Sequence, residues 1–401
     1  MTKKLELAAS LYEAMNDPLS RLIALYGEEN GTGLFGAAEG EAPAGFFSRI
    51  DAEDLVPGQR GLTKDGQNVN EIWVDMQAML VAFNAGNDDF VSLMTFPTIM
   101  SNETVGVPTS PGFQKATEYG RPSKVRVTEV TRGFPLAHYD LGDGYTQEYL
   151  DKASGAQIIA VQATILNSWT TLERELVFDA LFGDANYTDQ DDINVVRLYN
   201  NDGEVPPAIK RWTHDGTHQH YLFGGGGGFV QGDLDTMSED LIHHGFREFG
   251  DSTFILLAHR DDLATIRGFA NWIPAEESEQ PAILAESGLV RGQTRRGGTS
   301  GLRVEGFIND WTVVQDNLMV SGYLCGFVSG GPLDVRNVVG FRQHVNPSAR
   351  GLRLIEGNRQ NYPLYDSVYD GYAGAGVGQR GAAVIMQDAA SYTAPTFETG
   401  E

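Results

Sequence analysis

The chain has 401 residues, a formal net charge of −25 and 41% apolar residues. That is enough for one large core or for two to three linked compact units, and the apolar share excludes a disordered chain. The acidity argues against sequence-specific nucleic-acid binding, because an acidic surface repels phosphate unless its basic groups are segregated; the one tight basic cluster, Arg291 to Arg296, holds three arginines in a Gly-rich loop.

From the N-terminus, Leu5, Ala8, Tyr12, Met15, Leu19, Leu22 and Tyr26 recur at spacings of three and four, one apolar helical stripe broken at Pro18. Asp17 is placed to cap its second half and Gly27 to end it. Glu6 and Glu13 interrupt any signal-like apolar segment, so folding in the cytosol is expected, and no apolar run is long enough to span a bilayer. Residues 28–61 carry anchors at Leu34, Phe35, Phe46, Phe47 and Leu55 but no period, which reads as an extended arm. Ile72 to Phe83 has a helical face, and Phe90 to Met100 and Lys124 to Thr131 are rich in Val, Thr and Phe and read as strands. The Pro- and Gly-punctuated stretch between them predicts the tip of a long two-stranded arm, and an isolated ribbon of that kind is barely stable in water.

Ala156 to Phe182 contains no Pro or Gly and carries a stripe of Ile158, Val161, Ile165, Trp169, Leu172 and Leu176, with Gly183 as the stop. This predicts a spine helix roughly 40 Å long. After a loop over 184–228 the pattern turns α/β. A helix is expected from Asp233 to Gly250, a buried strand over Thr253 to Ala258 and a helix over Asp261 to Phe269. Strands are expected over Leu302 to Ile308, Trp311 to Gln315, Met319 to Phe327, Val335 to Val345 and Ala382 to Gln387, followed by a loose polar tail from Asp388.

No motif carries chemistry convincingly. Gly376, Gly378 and Gly381 fit the dinucleotide fingerprint, but they precede the strand-like run Ala383-Val384-Ile385-Met386 instead of opening a helix. Gly224 to Gly228 lacks the Lys-Ser/Thr of a phosphate loop. Asp184 to Asp189 starts like a calcium loop but lacks the Gly at its sixth position and has Val195 where the twelfth-position Glu belongs. His214, His218 and His220 cluster, with His243 and His244 further on; three histidines can bind zinc, but their polar loop reads as a surface. Cys325 lies in the apolar run Gly322-Tyr323-Leu324-Cys325-Gly326-Phe327 and reads as a buried small hydrophobe, and a single cysteine excludes an intrachain disulfide. No catalytic, cofactor-binding or metal-ligating residue is therefore assigned, and no cofactor is expected.

The order of elements, arm, long β-ribbon, spine helix and then an α/β region closing near the C-terminus, resembles the capsid fold of tailed-phage major capsid proteins, encapsulins and the herpesvirus capsid floor. Lys124-Val125-Arg126-Val127 through Phe134-Pro135-Leu136-Ala137 into Leu172-Glu173-Arg174-Glu175 looks like the return of the extended loop into the spine, and Gly378 through Gln387 resembles the closing strand of capsid proteins from phages of actinobacteria. The resemblance implies an α+β fold. Its parts would be an N-terminal arm (1–60), the start of a peripheral domain (61–87), an extended β-hairpin loop (88–139), the peripheral domain with its spine helix (140–232, spine 156–182) and an axial domain (233–334). A return through the peripheral domain (335–375), a C-terminal axial strand (376–390) and a loose tail (391–401) would follow.

The implied function is structural: pentamers and hexamers closing an icosahedral virion shell around double-stranded DNA, with scaffolding, portal and decoration proteins as possible partners and no membrane. Some such proteins cross-link a loop Lys to a neighbour's Asn; Lys115 and Lys124 lie in the corresponding stretch, without an identifiable partner. An encapsulin-type compartment, a cytosolic metal-dependent hydrolase using His214, His218 and His220, and a shell decoration protein stand as alternatives.

Overall fold

A computed structural model describes residues 61–86, 89–109, 115, 124, 126–208, 212–246, 253–275, 303–356 and 364–397. The expected N-terminal stripe and arm, most of the ribbon tip and Arg291 to Arg296 lie outside these residues. The fold is α+β. Among the described residues no helix is long and apolar enough to cross a membrane.

The first helix, α1 (Val69–Ala85), starts where the Asn68 side chain accepts from the Asn70 N–H. It buries Ile72, Trp73, Met76, Met79 and Leu80, the face expected from the sequence. The next segment departs from expectation. Asp89–Met94 is a short helix, α2, and only Thr95–Thr98 is strand, β1. The residues have β propensity, but Phe90, Leu93 and Met94 fall at helical spacing and all three are buried, with the Phe90 ring 4.8 Å from that of Phe178. Tertiary packing overrides propensity here.

The ribbon follows as β2 (Asn102–Thr109) and β3 (Arg126–Gly133), paired antiparallel from Asn102↔Gly133 out to Thr109↔Arg126. Then come β4 (Ala137–Thr146), the turn-like helix α3 (Gln147–Leu150) and the spine, α4 (Gly155–Phe182). The spine's N-terminus is held twice. Gln157 Oε1 accepts from the Ser154 N–H at 2.9 Å, and the Asp65 carboxylate accepts from the Gly155 N–H at 3.0 Å, an anion on the positive end of the helix.

The loop after the spine carries β5 (Tyr187–Thr188), β6 (Asn194–Val195) and β7 (Tyr221–Phe223). Helix α5 spans Gln231–His243, with Asp233 Oδ2 accepting from the Val230 N–H. It ends at Gly245, in the left-handed region at φ 85°, earlier than the expected Gly250, which lies outside the described residues. The remaining elements are β8 (Thr253–Ala258), α6 (Arg260–Ile266), β9 (Trp272–Pro274), β10 (Arg303–Ile308), β11 (Trp311–Gln315), β12 (Tyr323–Ser329), β13 (Val339–Arg342), β14 (Arg353–Glu356), β15 (Leu364–Val377) and β16 (Ala383–Gln387).

Two sheets organise these strands. One orders β7-β16-β12-β8-β11-β10-β9, and its central strand β8 is an unbroken apolar run because it has a strand on each side. The other orders β1-β13-β15-β14, with β4 also paired along β15 over ten residues from Ala373↔Ala137 to Leu364↔Thr146. The spine packs on this second sheet. The tail is not loose as far as residue 397: Phe397 stacks on Phe178 at 5.6 Å, and Tyr392 OH donates to the Phe182 carbonyl at 2.6 Å.

Candidate assembly surfaces and a buried histidine cluster

The β2–β3 ribbon forms a two-stranded sheet separate from the two larger ones. Among the described residues neither strand has a third partner, so both edges present unpaired backbone groups, which is a template for association. Its root is held firmly. Phe134 is wholly buried and its N–H donates to the Ser101 carbonyl at 2.8 Å. Gly133 lies so close to the Asn194 carbonyl that an added Cβ would sit 2.2 Å from that oxygen. Beside the root, Ile99 and Met100 are exposed, and Val127 is exposed along β3. Lys115 and Lys124 are exposed.

Further apolar side chains face outward: Val74 and Val81 on α1, and Leu364, Val368 and Ile355 on the second sheet. Ile355 and Val368 are direct cross-strand partners, so they form one continuous patch.

Behind the ribbon root lies an ionic hub. Arg380, between β15 and β16, has no solvent exposure at its side chain. Its Nε donates to the Arg197 carbonyl at 2.7 Å and its Nη2 to the Leu198 carbonyl at 2.9 Å. Its Nη1 donates to Glu204 Oε2 at 2.9 Å, and Asp202 Oδ2 lies 2.7 Å from Nη2. Arg132, from β3, donates to the same Glu204 carboxylate at 2.9 and 2.5 Å. Burial pushes the Glu204 carboxyl upward, but the hydrogen bonds and charges of Arg132 and Arg380 outweigh it and hold it below its usual range; Asp202 behaves likewise under Arg380 and Asn186. Nothing in the sequence marked this hub, because its members are far apart in the chain.

The histidines form a second centre, and here the expectation of a surface loop fails. His220 lies on the sequence side of β7 and is wholly buried; its Nδ1 lies 2.5 Å from the Ala383 carbonyl of β16. His218 and His244 are partly buried. The Nε2 atoms of His218, His220 and His244 stand 2.9 Å apart in every pair. His214 stacks on His244 with ring centroids 4.8 Å apart and 3° between planes, and its buried Nε2 has no hydrogen-bond partner. Tyr199 stacks on the other ring face of His244 at 5.4 Å and 6°, and the Arg380 guanidinium lies over Tyr199 at 4.7 Å. Burial, reinforced by the neighbouring histidines, pulls His218 down to about 4. Burial also pulls His220 down to about 3, against the upward pull of the Ala383 carbonyl, and lowers His244 further. All three are neutral imidazoles at neutral pH. His243 joins Trp212 instead, at 5.5 Å.

The remaining motifs resolve as packing. Gly376 leaves room for the Gly133 carbonyl and Phe134, Gly378 for Phe96, and Gly381 for the His244 ring, and the strand β16 follows them, so the three glycines serve close approach and not a dinucleotide. Asn186, in the calcium-like loop, gives its Oδ1 to the Arg197 N–H and its Nδ2 to Asp202. Cys325 is wholly buried in β12, and burial pushes its thiol up, away from the reactive thiolate.

The chain is similar to a solved structure from Mycobacterium phage Patience, at 32% identity and a TM-score of 0.61, over 88% of this chain and 97% of that one. It also aligns with the capsid of a native GTA particle, at 13% identity and a TM-score of 0.44 over 75% and 90% of the two chains. A third alignment, with the holo-SrpI encapsulin complex from Synechococcus elongatus PCC 7942, has 13% identity and a TM-score of 0.39 over 78% and 91%. No protein-family model and no curated protein sequence matches the chain.

Proposed function

The chain belongs to the major capsid proteins of tailed phages, shell subunits of the virion that work by self-association, and from this premise we propose that it forms pentamers and hexamers closing an icosahedral shell around double-stranded DNA. The observation that carries this finer reading is the β2–β3 ribbon: a two-stranded element that pairs with neither larger sheet among the described residues and has an ion-paired root. In this reading the ribbon, the arm over 1–60 and the Ile355–Val368 patch lie on neighbouring subunits, which would cover the exposed Val127, Ile355 and Val368.

The sheet containing the spine would form the peripheral domain, and the β8-centred sheet the axial domain that meets its copies at the vertices. The net charge of −25 suits a wall that must not bind the packaged polymer. Synthesis would take place in the host cytoplasm, with scaffolding, portal and decoration proteins as further partners.

Negative-stain electron microscopy of the protein expressed alone and with a co-expressed scaffolding protein, read next to a size-exclusion profile, tests the proposal. Closed shells or five- and six-fold capsomers are expected. A protein that stays monomeric under both conditions overturns it.

A further inference from the structure

We infer that His218, His220 and His244, with His214 beside them, form a structural binding site for a divalent first-row transition-metal ion of the zinc type. The argument starts from proton counting. A neutral imidazole has one N–H and one bare nitrogen, each acting along a single direction in the ring plane. His220 directs its Nδ1 at a carbonyl, which only accepts, so its proton is there and its Nε2 is a bare lone pair. That lone pair faces the Nε2 atoms of His218 and His244, each 2.9 Å away and also 2.9 Å from each other. No placement of protons satisfies all three contacts. If both remaining nitrogens carry hydrogens, those hydrogens collide. If either is bare, two lone pairs face each other. A cation at the point where the three nitrogens converge satisfies all of them at once.

The dimensions agree with such an ion. Three imidazole nitrogens bound to zinc at about 2.0–2.1 Å in a tetrahedral site stand roughly 3.3 Å apart, so the observed triangle needs to open by only a few tenths of an ångström. His214 stands beside the triangle, stacked parallel on His244, and so supports the site without sharing the ion. Its buried Nε2 is unpartnered, and ring nitrogens of His214, His218 and His244 lie within 4.8 Å of one another. His220 has its Nδ1 fixed by the Ala383 carbonyl, the outer support that orients metal-ligating imidazoles.

The surroundings assign the ion a structural role. The ion would sit among enclosed side chains, with His220 wholly buried and His214 and Tyr199 stacked on His244, and a water would complete its four-coordination. The ion would join the 214–220 loop to the end of α5, and His220 carries the link on to β16 through the Ala383 carbonyl. Imidazole ligands select zinc, nickel, cobalt or copper over magnesium or calcium, whose preferred ligands are oxygens.

The test uses untagged protein, as assembled shells or capsomers, stripped with a chelator and reloaded with Co²⁺ as the probe. Stoichiometric uptake with the intense visible bands of four-coordinate cobalt is expected, displaced by Zn²⁺, along with a fall in melting temperature on stripping that Zn²⁺ restores. X-ray absorption on the zinc form should count three imidazoles. The double variant His218→Gln, His244→Gln should lose the ion. Wild-type protein that takes up no stoichiometric metal, a zinc spectrum with fewer than three imidazoles, or a folded double variant that keeps the ion overturns the site. The wild-type measurements decide the matter even where the variant does not fold.

Discussion

Arg380 and Glu204 are bound through a hydrogen-bonded ion pair of 2.9 Å in which the guanidinium is wholly enclosed, and the same carboxylate receives Arg132 from the ribbon root. The turn that precedes the last strand of one sheet is thereby tied to the two-stranded ribbon. Removing one partner of a buried pair costs about 3–5 kcal/mol, because the other charge is left uncompensated. Arg380→Met should fall in this range, since it also strands the Arg197 and Leu198 carbonyls and takes one cationic partner from each of Asp202 and Glu204. Chemical denaturation of capsomers measures it; a loss below about 1 kcal/mol would show that the hub contributes little.

The hub also sets an acid limit. Glu204 and Asp202 are held below their usual ranges in the folded state, so the unfolded chain binds more protons in the window between the two sets of values. Their contribution is complete above the unfolded values, near about 4–4.5, and is lost as pH falls through the lower folded values. Urea midpoints followed from pH 7 downwards should therefore drop less steeply in Glu204→Gln than in the wild type. Parallel curves would contradict the assignment.

Gly371 of β15 faces Trp169 of the spine so closely that an added Cβ would lie 2.3 Å from the indole. Gly371→Ala should destabilise the fold by about 1–3 kcal/mol through overpacking. Trp169→Leu combined with it should recover part of the loss, and the non-additivity of the pair in thermal unfolding measures the contact. Strict additivity would place the effect elsewhere.

Shortening the ribbon separates folding from assembly. Replacing residues 107–128 by an Asn-Gly turn keeps the root pairs Asn102↔Gly133 and Thr104↔Thr131 and the Arg132–Glu204 pair. The circular dichroism spectrum and melting temperature should stay close to wild type while closed shells disappear from micrographs. Normal shells from this variant would remove the ribbon from the assembly interface.

The tail offers a fifth check. Phe397 packs on Phe178 and Phe182, with ring centroids 5.6 and 5.8 Å away. Aromatic pairs contribute about 0.5–1.5 kcal/mol beyond their burial, so Phe397→Ala should lower stability by at least that much in denaturant titrations. Wild-type stability would mean that the tail rests on the core without holding it.

Local pattern was enough for much of the architecture. The spine needs only an unbroken run with a helical stripe and Gly183 behind it, and β8, β11 and β16 are short apolar runs bounded by turns, because their burial on both faces dictates composition directly. β15, the longest strand, was invisible locally. Its glycines carry no strand signal, but they admit Trp169, Phe134 and the Gly133 carbonyl, partners distant in the chain. Phe90 to Met94 kept strand-like composition yet became helix because Phe178 lies beside it. The histidines divide the same way. Their types and the nearness of His214, His218 and His220 in the chain were legible, and burial was not. His244 enters the cluster through the end of α5, and Gly381 supplies the space for its ring. Periodicity and turn chemistry are local and survive in a one-dimensional reading, whereas proton counting at His220, the charge balance at Arg380 and the packing of Gly371 depend on which distant residues the fold brings within a few ångströms.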